Sequence, residues 1–176
     1  AFKLIQALIK CGTEEKVFEF TPGREKWFLD MVGIATVSDM VPLVGENRVL
    51  AHFGLKVLRK SPRPGLRALL RRANIRQAYL TEDDIGFVIG PRINVTSRID
   101  TPIKAFQLLS TRDEAEAEAL VKEINQLNDR RKGLVASALK EARKRIDSNE
   151  DHEVLVLGNP SWYPGILGLI AHKLTE

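Results

Sequence analysis

Along residues 1–10, Phe2, Ile5 and Ile9 fall on one helical face with Leu4 and Leu8 beside them, and Gly12 stands where such a helix would end. From Arg24 a second run repeats Trp27, Phe28, Met31, Val32 and Ala35 at intervals of three and four, then loses its rhythm in TVSDMVPLVGEN. The residues around Asp39 therefore read as a loop. Asn47 is placed to cap the next helix, whose stripe of Val49, Leu50, Phe53, Val57 and Leu58 stops at Ser-Pro-Arg-Pro-Gly, and Pro64 suits the start of another. Thr81 and Asp84 stand at capping-box spacing, with Ile85, Val88 and Ile89 continuing helically until Gly90-Pro91 breaks the run.

Thr101-Pro102 restarts a helix through Phe106 and Leu109. Thr111 with Glu114 then forms a second capping box, ahead of a stripe of Leu120, Ile124, Leu127, Leu134, Ala138, Ala142 and Ile146. That stripe predicts roughly 35 residues of helix, about 50 Å long, with Gly133 as the place for a kink. A charged break at 147–151 leads to Val-Leu-Val-Leu at 154–157, a buried strand closed by Gly158-Asn159-Pro160. Ile166, Leu167, Ile170 and Leu174 give a last helix. The pattern predicts an α/β fold class, predominantly helical in this segment, with a long connecting helix and the first β-loop-α of a second α/β domain.

Hydrophobic residues at 44% and charged residues at 28% of 176 exclude a disordered acidic tail and a collagen-like repeat. Lysines and arginines interrupt every apolar run well short of the roughly 20 residues a spanning helix needs, which excludes a membrane helix. The single cysteine, Cys11, has no internal disulfide partner, and the expected setting is reducing and cytoplasmic. The chain opens on Ala1 rather than Met and stops within a helical pattern, so the reading expects a piece of a longer protein.

With 27 Lys+Arg against 23 Asp+Glu the formal charge is +4, but the excess is not evenly spread. Lys56, Arg59, Lys60, Arg63, Arg67, Arg71, Arg72 and Arg76 follow one another with no acid between them. Such a run is either a solvated helix face or a phosphate-binding one, the latter giving a steep salt dependence.

His52, His152 and His172 lie at no metal-ligand spacing, and no Cys-x-x-Cys, nucleophile elbow or P-loop occurs. Asp39 differs in standing among Val37, Met40, Val41 and Leu43, where a carboxylate needs a cation or hydrogen-bond donors. A helix or turn cap and a ligand for a hard metal ion both meet that need. In GPRINVTSRID, Arg92 and Arg98 bracket Asn94, Thr96 and Ser97, which makes either a phosphate clamp or an ordinary turn or helix start with arginines paired to acids such as Asp100. SWYPGILG sets Trp162 and Tyr163 before Gly165 at the end of the expected strand, as a ligand loop or a packed one.

Three strings in order, IATVSDMVPLVGENRVL, IGFVIGPRINVTSRID and VLVLGNPSWYPGILGLIAHKL, with a long helix before the third, resemble the RecJ family of bacterial single-strand-specific DNA exonucleases in the DHH phosphoesterase superfamily. AFKLIQALIK is similar to the family helix that follows its Asp-His-His region, so the resemblance covers essentially the whole chain. It implies that 1–75 is the C-terminal part of the DHH catalytic domain. Residues 76–147 become a helical connector with the Arg-Ile-Asn phosphate-binding motif, and 148–176 the start of the DHH-associated domain. Asp39 matches the last metal-binding aspartate of a two-metal Mn²⁺ or Mg²⁺ site, and Asn47 and Arg48 match a segment supporting it. Arg92, Asn94, Ser97 and Arg98 match the motif that holds the DNA phosphate, while Trp162, Tyr163 and Gly165 fall in the aromatic-glycine loop.

The family usually carries His at the position of Tyr163 and Gly at that of Ser97. The chain contains no Asp-His-His and no earlier Asp-x-Asp, so its catalytic residues are otherwise unassigned and the isolated piece is expected to be inactive. For the intact protein the resemblance implies two-metal hydrolysis of single-stranded DNA from 5′ to 3′, releasing mononucleotides in DNA repair and recombination. A helicase and a single-strand-binding protein are the implied partners. The alternatives are another superfamily phosphodiesterase, acting on oligoribonucleotides or cyclic dinucleotides, a metal-free nucleic-acid-binding helical module, and a structural interaction domain.

Overall fold

A computed structural model describes residues 1–146 and 154–176. It divides into two compact units, Ala1–Gly90 and Pro91–Glu176. Among the described residues no helix is long and apolar enough to cross a membrane.

In the first unit α1 (Phe2–Glu14) continues through Gly12 rather than ending there, because the Phe18 ring folds back over that glycine. The run from Arg24 is split into a 3₁₀ turn, Arg24–Phe28, and α2 (Leu29–Ser38). Helix α3 (Gly45–Leu58) packs on α2 through Gly33 and Gly54. A Cβ on Gly54 would lie 2.7 Å from the Gly33 Cα, so the two backbones touch where side chains would ordinarily stand. This contact also turns α3: Ala51, Gly54 and Leu58 are its buried face, while Val49 and Phe53 of the expected stripe face outward.

Helix α4 (Pro64–Arg72) starts at the expected proline and buries Leu66, Ala68, Leu69 and Leu70. Its position relative to α2 is fixed by one charged group. Asp30, 1% exposed, accepts from Ser61 Oγ at 2.8 Å, from Arg63 Nε at 2.7 Å and from the Met31 backbone N–H at 2.7 Å. Arg59 Nε donates to the Leu80 carbonyl at 2.8 Å, so Arg59 as well as Arg63 in the basic run serves the fold. Lys56, Lys60, Arg67, Arg71, Arg72 and Arg76 are exposed.

The Thr81–Asp84 box forms reciprocally: the Asp84 carboxylate accepts from Thr81 N at 2.9 Å, and Thr81 Oγ1 accepts from Asp84 N at 3.3 Å. Gly90-Pro91 does not then break the helix. A π turn, Asp84–Ile89, runs straight into α5 (Gly90–Ile99), its wider i to i+5 pairing carrying the Gly90 N–H to the Ile85 carbonyl. The wider turn absorbs the donor that Pro91 lacks.

In the second unit α6 (Ile103–Ser110) leads to α7 (Glu114–Ile146), 33 residues and about 50 Å long. Its cap sits later than expected, with Asp113 Oδ1 accepting from Glu116 N at 2.8 Å. Ala117, Val121, Ile124, Asn128, Val135, Ala138 and Ala142 form the buried stripe, displaced one position from Leu120, Leu127 and Leu134. Val135 and Ala138 meet Ile166 and Ile170 from α8 (Leu167–Thr175) and the 3₁₀ turn before it, with Trp162 and Tyr163 packed alongside.

The expected break at 147–151 lies outside the described residues. Residues 154–157 are irregular, with Val154 77% and Val156 92% exposed, and no strand occurs among the described residues. A strand satisfies its N–H and C=O groups only against a neighbour. None of the described residues supplies that neighbour here.

Candidate functional site

Asp39 ends α2. The Met40 N–H reaches the Val37 carbonyl at 3.1 Å and the Val41 N–H reaches Thr36 at 3.1 Å, a pair of bonds that closes the helix with Met40 in the left-handed region at φ 53°. A side chain is unusual at such a position, and it directs the chain sharply away just after Asp39. The Asp39 backbone N–H donates to the Ala35 carbonyl at 3.0 Å, while its carboxylate is exposed and makes no hydrogen bond or ion pair among the described residues. Its apolar sequence neighbours do not bury it: Met40 is 88% and Val44 70% exposed. Those neighbours leave the carboxylate open to solvent.

Asn47 does not cap α3, because Val44 holds the cap position. It reaches back from the first turn to give Nδ2 to the Pro42 carbonyl at 3.2 Å, bracing the loop that leaves Asp39. Arg48 is exposed. Among the described residues no three His, Cys, Asp or Glu side chains gather as a metal site. One carboxylate does not fill the coordination of Mn²⁺ or Mg²⁺, so these residues alone do not fit a two-metal centre and no catalytic step is derived through one.

The second unit gathers cations instead. The Arg-Ile-Asn motif lies on a regular helix, α5, not on a loop. Arg92 Nε donates to Asn125 Oδ1 on α7 at 2.9 Å, and Asn125 in turn donates to the Val121 carbonyl. Arg98 Nη1 donates to the Gly165 carbonyl at 2.9 Å. Gly165 is required there, since a Cβ would stand 2.2 Å from the Arg98 carbonyl oxygen. Asp100, the acid weighed as a partner for these arginines, pairs with Lys104 at 2.8 Å. The Lys104 ammonium holds the Asp100 carboxyl below its ordinary value. Asn94 is half-buried, and Ser97 is exposed with its hydroxyl donating to the Asn94 carbonyl at 3.0 Å.

A third guanidinium, unmarked in the sequence reading, belongs with these two. Arg131 on α7 has its Nε buried and without a hydrogen-bond partner, and one turn before it the buried Asn128 leaves Oδ1 unpaired. Burial first, then the positive charges of Arg98 and Arg92, push Arg131 below its ordinary value. Leaving a buried donor unmade costs about 1–3 kcal/mol.

Trp162 and Tyr163 hold the loop through side-chain hydrogen bonds to α7. Trp162 Nε1 donates to Glu141 at 3.2 Å, under the Arg145 guanidinium. The Tyr163 hydroxyl accepts from Arg130 at 2.9 Å. This pinning delivers Gly165 to Arg98.

The proteins that this sequence and backbone resemble are of one class, exonucleases specific for single-stranded DNA. No family model matches the chain. The single-stranded-DNA-specific exonuclease RecJ of Bacillus subtilis is 34% identical over 177 residues, covering 100% of this chain and 21% of that protein. The RecJ proteins of Escherichia coli and Thermus thermophilus are each 35% identical, over 84% and 85% of this chain and 27% and 22% of theirs. The crystal structure of Thermus thermophilus RecJ in complex with Mn²⁺ superposes with a TM-score of 0.75 at 34% identity, covering 88% of this chain and 23% of that one. The chain is thus RecJ-like in sequence and in backbone. It spans between about a fifth and a quarter of the length of the curated relatives it matches.

Proposed function

We propose that this chain is part of a metal-dependent exonuclease that hydrolyses single-stranded DNA from 5′ to 3′ and releases mononucleotides. The observation that carries the reading is the match to RecJ across the whole chain, at 34% identity and with a TM-score of 0.75. Asp39 is assigned as one carboxylate ligand of a Mn²⁺ or Mg²⁺ site whose other ligands lie outside these residues. Asn47 and Arg48 support its loop. Arg92, Asn94, Ser97 and Arg98 are assigned to the DNA phosphate, supported by the way α7 and Gly165 orient the two guanidiniums. The same reading divides the chain at 1–75, 76–147 and 148–176, places the protein in the cytoplasm in DNA repair and recombination, and gives it a helicase and a single-strand-binding protein as partners.

The test is Mn²⁺-dependent release of mononucleotides from 5′-phosphorylated single-stranded DNA by the whole protein and by this 176-residue chain. Digestion by the whole protein alone, abolished by Asp39→Ala, supports the reading. Binding without digestion by the whole protein overturns it. A metal-free binding module is the second reading, favoured by the exposed lysines and arginines of the 56–76 run, and DNA binding indifferent to both metal and Asp39→Ala would establish it.

A further inference from the structure

The buried stripe of α7 steps by four and three through Ala117, Val121, Ile124 and Asn128, and resumes at Val135, Ala138 and Ala142. The position that completes the rhythm is Arg131. A leucine or methionine there would continue the apolar seam, so a guanidinium with a buried, unpartnered Nε is an expensive choice for packing alone. The charges acting on it are those of Arg98 and Arg92, both of its own sign. Arg98 commits Nη1 to a backbone carbonyl, which fixes the group without neutralising it. Asn128, one turn earlier, adds a second unfinished polar group on the same stripe. Arg92 is anchored on α7 at Asn125, and the charges of Arg92 and Arg98 act on the half-buried Arg131, whose Nε is unfinished, so the three guanidiniums offer a receptor for a compact anion with several acceptor oxygens.

Resting on the phosphate reading of α5 above, we infer that Arg131 is the third arm of an oxyanion site shared with Arg92 and Arg98, binding a phosphate group. Two sources share that chemistry, a phosphate of the bound strand and free inorganic phosphate. Arg131 contributes its charge and Nε from the floor of the site, while α5 supplies the other two arms.

The whole protein is melted in inorganic phosphate and in chloride at matched ionic strength, and its affinity for oligothymidylate is measured against salt. Wild type should melt higher in phosphate. Arg131→Met should melt at or above wild type in chloride, lose the phosphate-dependent rise, bind the oligonucleotide about tenfold more weakly and show a salt slope smaller by about one. Arg131→Lys, which keeps the charge but not the fork, should recover part of the rise.

A loss of the phosphate rise with unchanged oligonucleotide affinity assigns the site to free phosphate. An Arg131→Met protein that melts well below wild type in chloride, or Met and Lys variants that keep the full phosphate rise, makes Arg131 structural and overturns the inference. Arg92→Ala and Arg98→Ala separate the two levels of argument. If they lose oligonucleotide binding and the phosphate-dependent rise while Arg131→Met loses neither, only the third arm fails. If neither they nor Arg131→Met alters binding or melting in phosphate, the phosphate reading of α5 fails with it.

Discussion

Two arginines, one in each unit, meet opposite environments. Arg63 ends in a closed arrangement: its Nε is 2.7 Å from a carboxylate that also accepts from Ser61 and the Met31 backbone, so every charge involved has its complement inside the same unit. Arg131 ends in an open one, facing two more cations with its Nε unmade. Both are half-buried side chains on or beside helices, and residue type alone does not tell them apart. What separates fold-making from ligand-holding charge is whether the balance closes within the chain.

The comparison is broken most directly at Asp30. Asp30→Ala strands the Arg63 guanidinium and the Ser61 hydroxyl, and should lower the unfolding free energy by about 3–5 kcal/mol in a denaturant titration. A loss below about 1 kcal/mol would place Arg63 with Arg131 and remove the contrast. Next is Gly165→Ala, whose methyl would stand 2.2 Å from the Arg98 carbonyl oxygen. A cost of about 1–3 kcal/mol is expected, with weaker oligonucleotide binding as Arg98 is displaced. Gly158→Ala, with nothing within 4 Å of the new Cβ, should stay within about 0.5 kcal/mol.

Asp39→Ala should also change stability by less than about 0.5 kcal/mol in calorimetry, because the carboxylate is exposed and unpaired, while abolishing nuclease activity in the whole protein. A large destabilisation would make it a structural cap instead.

The smallest effect concerns Glu141. The Asn159 amide, opposed by partial loss of water and helped by Trp162 and Arg145, holds its carboxyl below the ordinary value. A lowered folded pKa means the stabilisation is present above the unfolded value and is lost as pH falls through the folded one. Docking of the 159–162 loop should therefore persist at neutral pH and loosen only in acid, below the usual glutamate range. Trp162 fluorescence in a Trp27→Phe background reads this, and Glu141→Gln should flatten the profile.

Much of the helical order was legible because α7 carries a long apolar rhythm, α4 opens on Pro64, α6 follows Pro102 and the Thr81–Asp84 box uses purely local bonds. Misplaced features depend on partners remote in sequence. Asn47 has the right residue type for a cap, but Met40 turns the chain so that Val44 takes that place. Gly90-Pro91 reads as a breaker unless the preceding turn widens, which nothing local announces. At the candidate site, Arg92 and Arg98 stood out within ten residues of sequence. Arg131 lies more than thirty residues further on, one cation among many on a polar-surfaced helix. Its signal was the missing step in the four-three rhythm of α7, visible only once the stripe is placed on the Asn128 face.

Gly33 and Gly54 carry a consequence for the history open to this fold. Most tight contacts can be crossed in evolution by pairs of changes, one residue growing while its neighbour shrinks. Here each glycine faces the other's main chain, at 2.7–3.0 Å from a would-be Cβ, and neither neighbour has a side-chain atom left to give up. Variation at either position must instead be met by moving a whole helix, so descendants that keep the α2–α3 crossing should keep both glycines while the exposed residues around them drift.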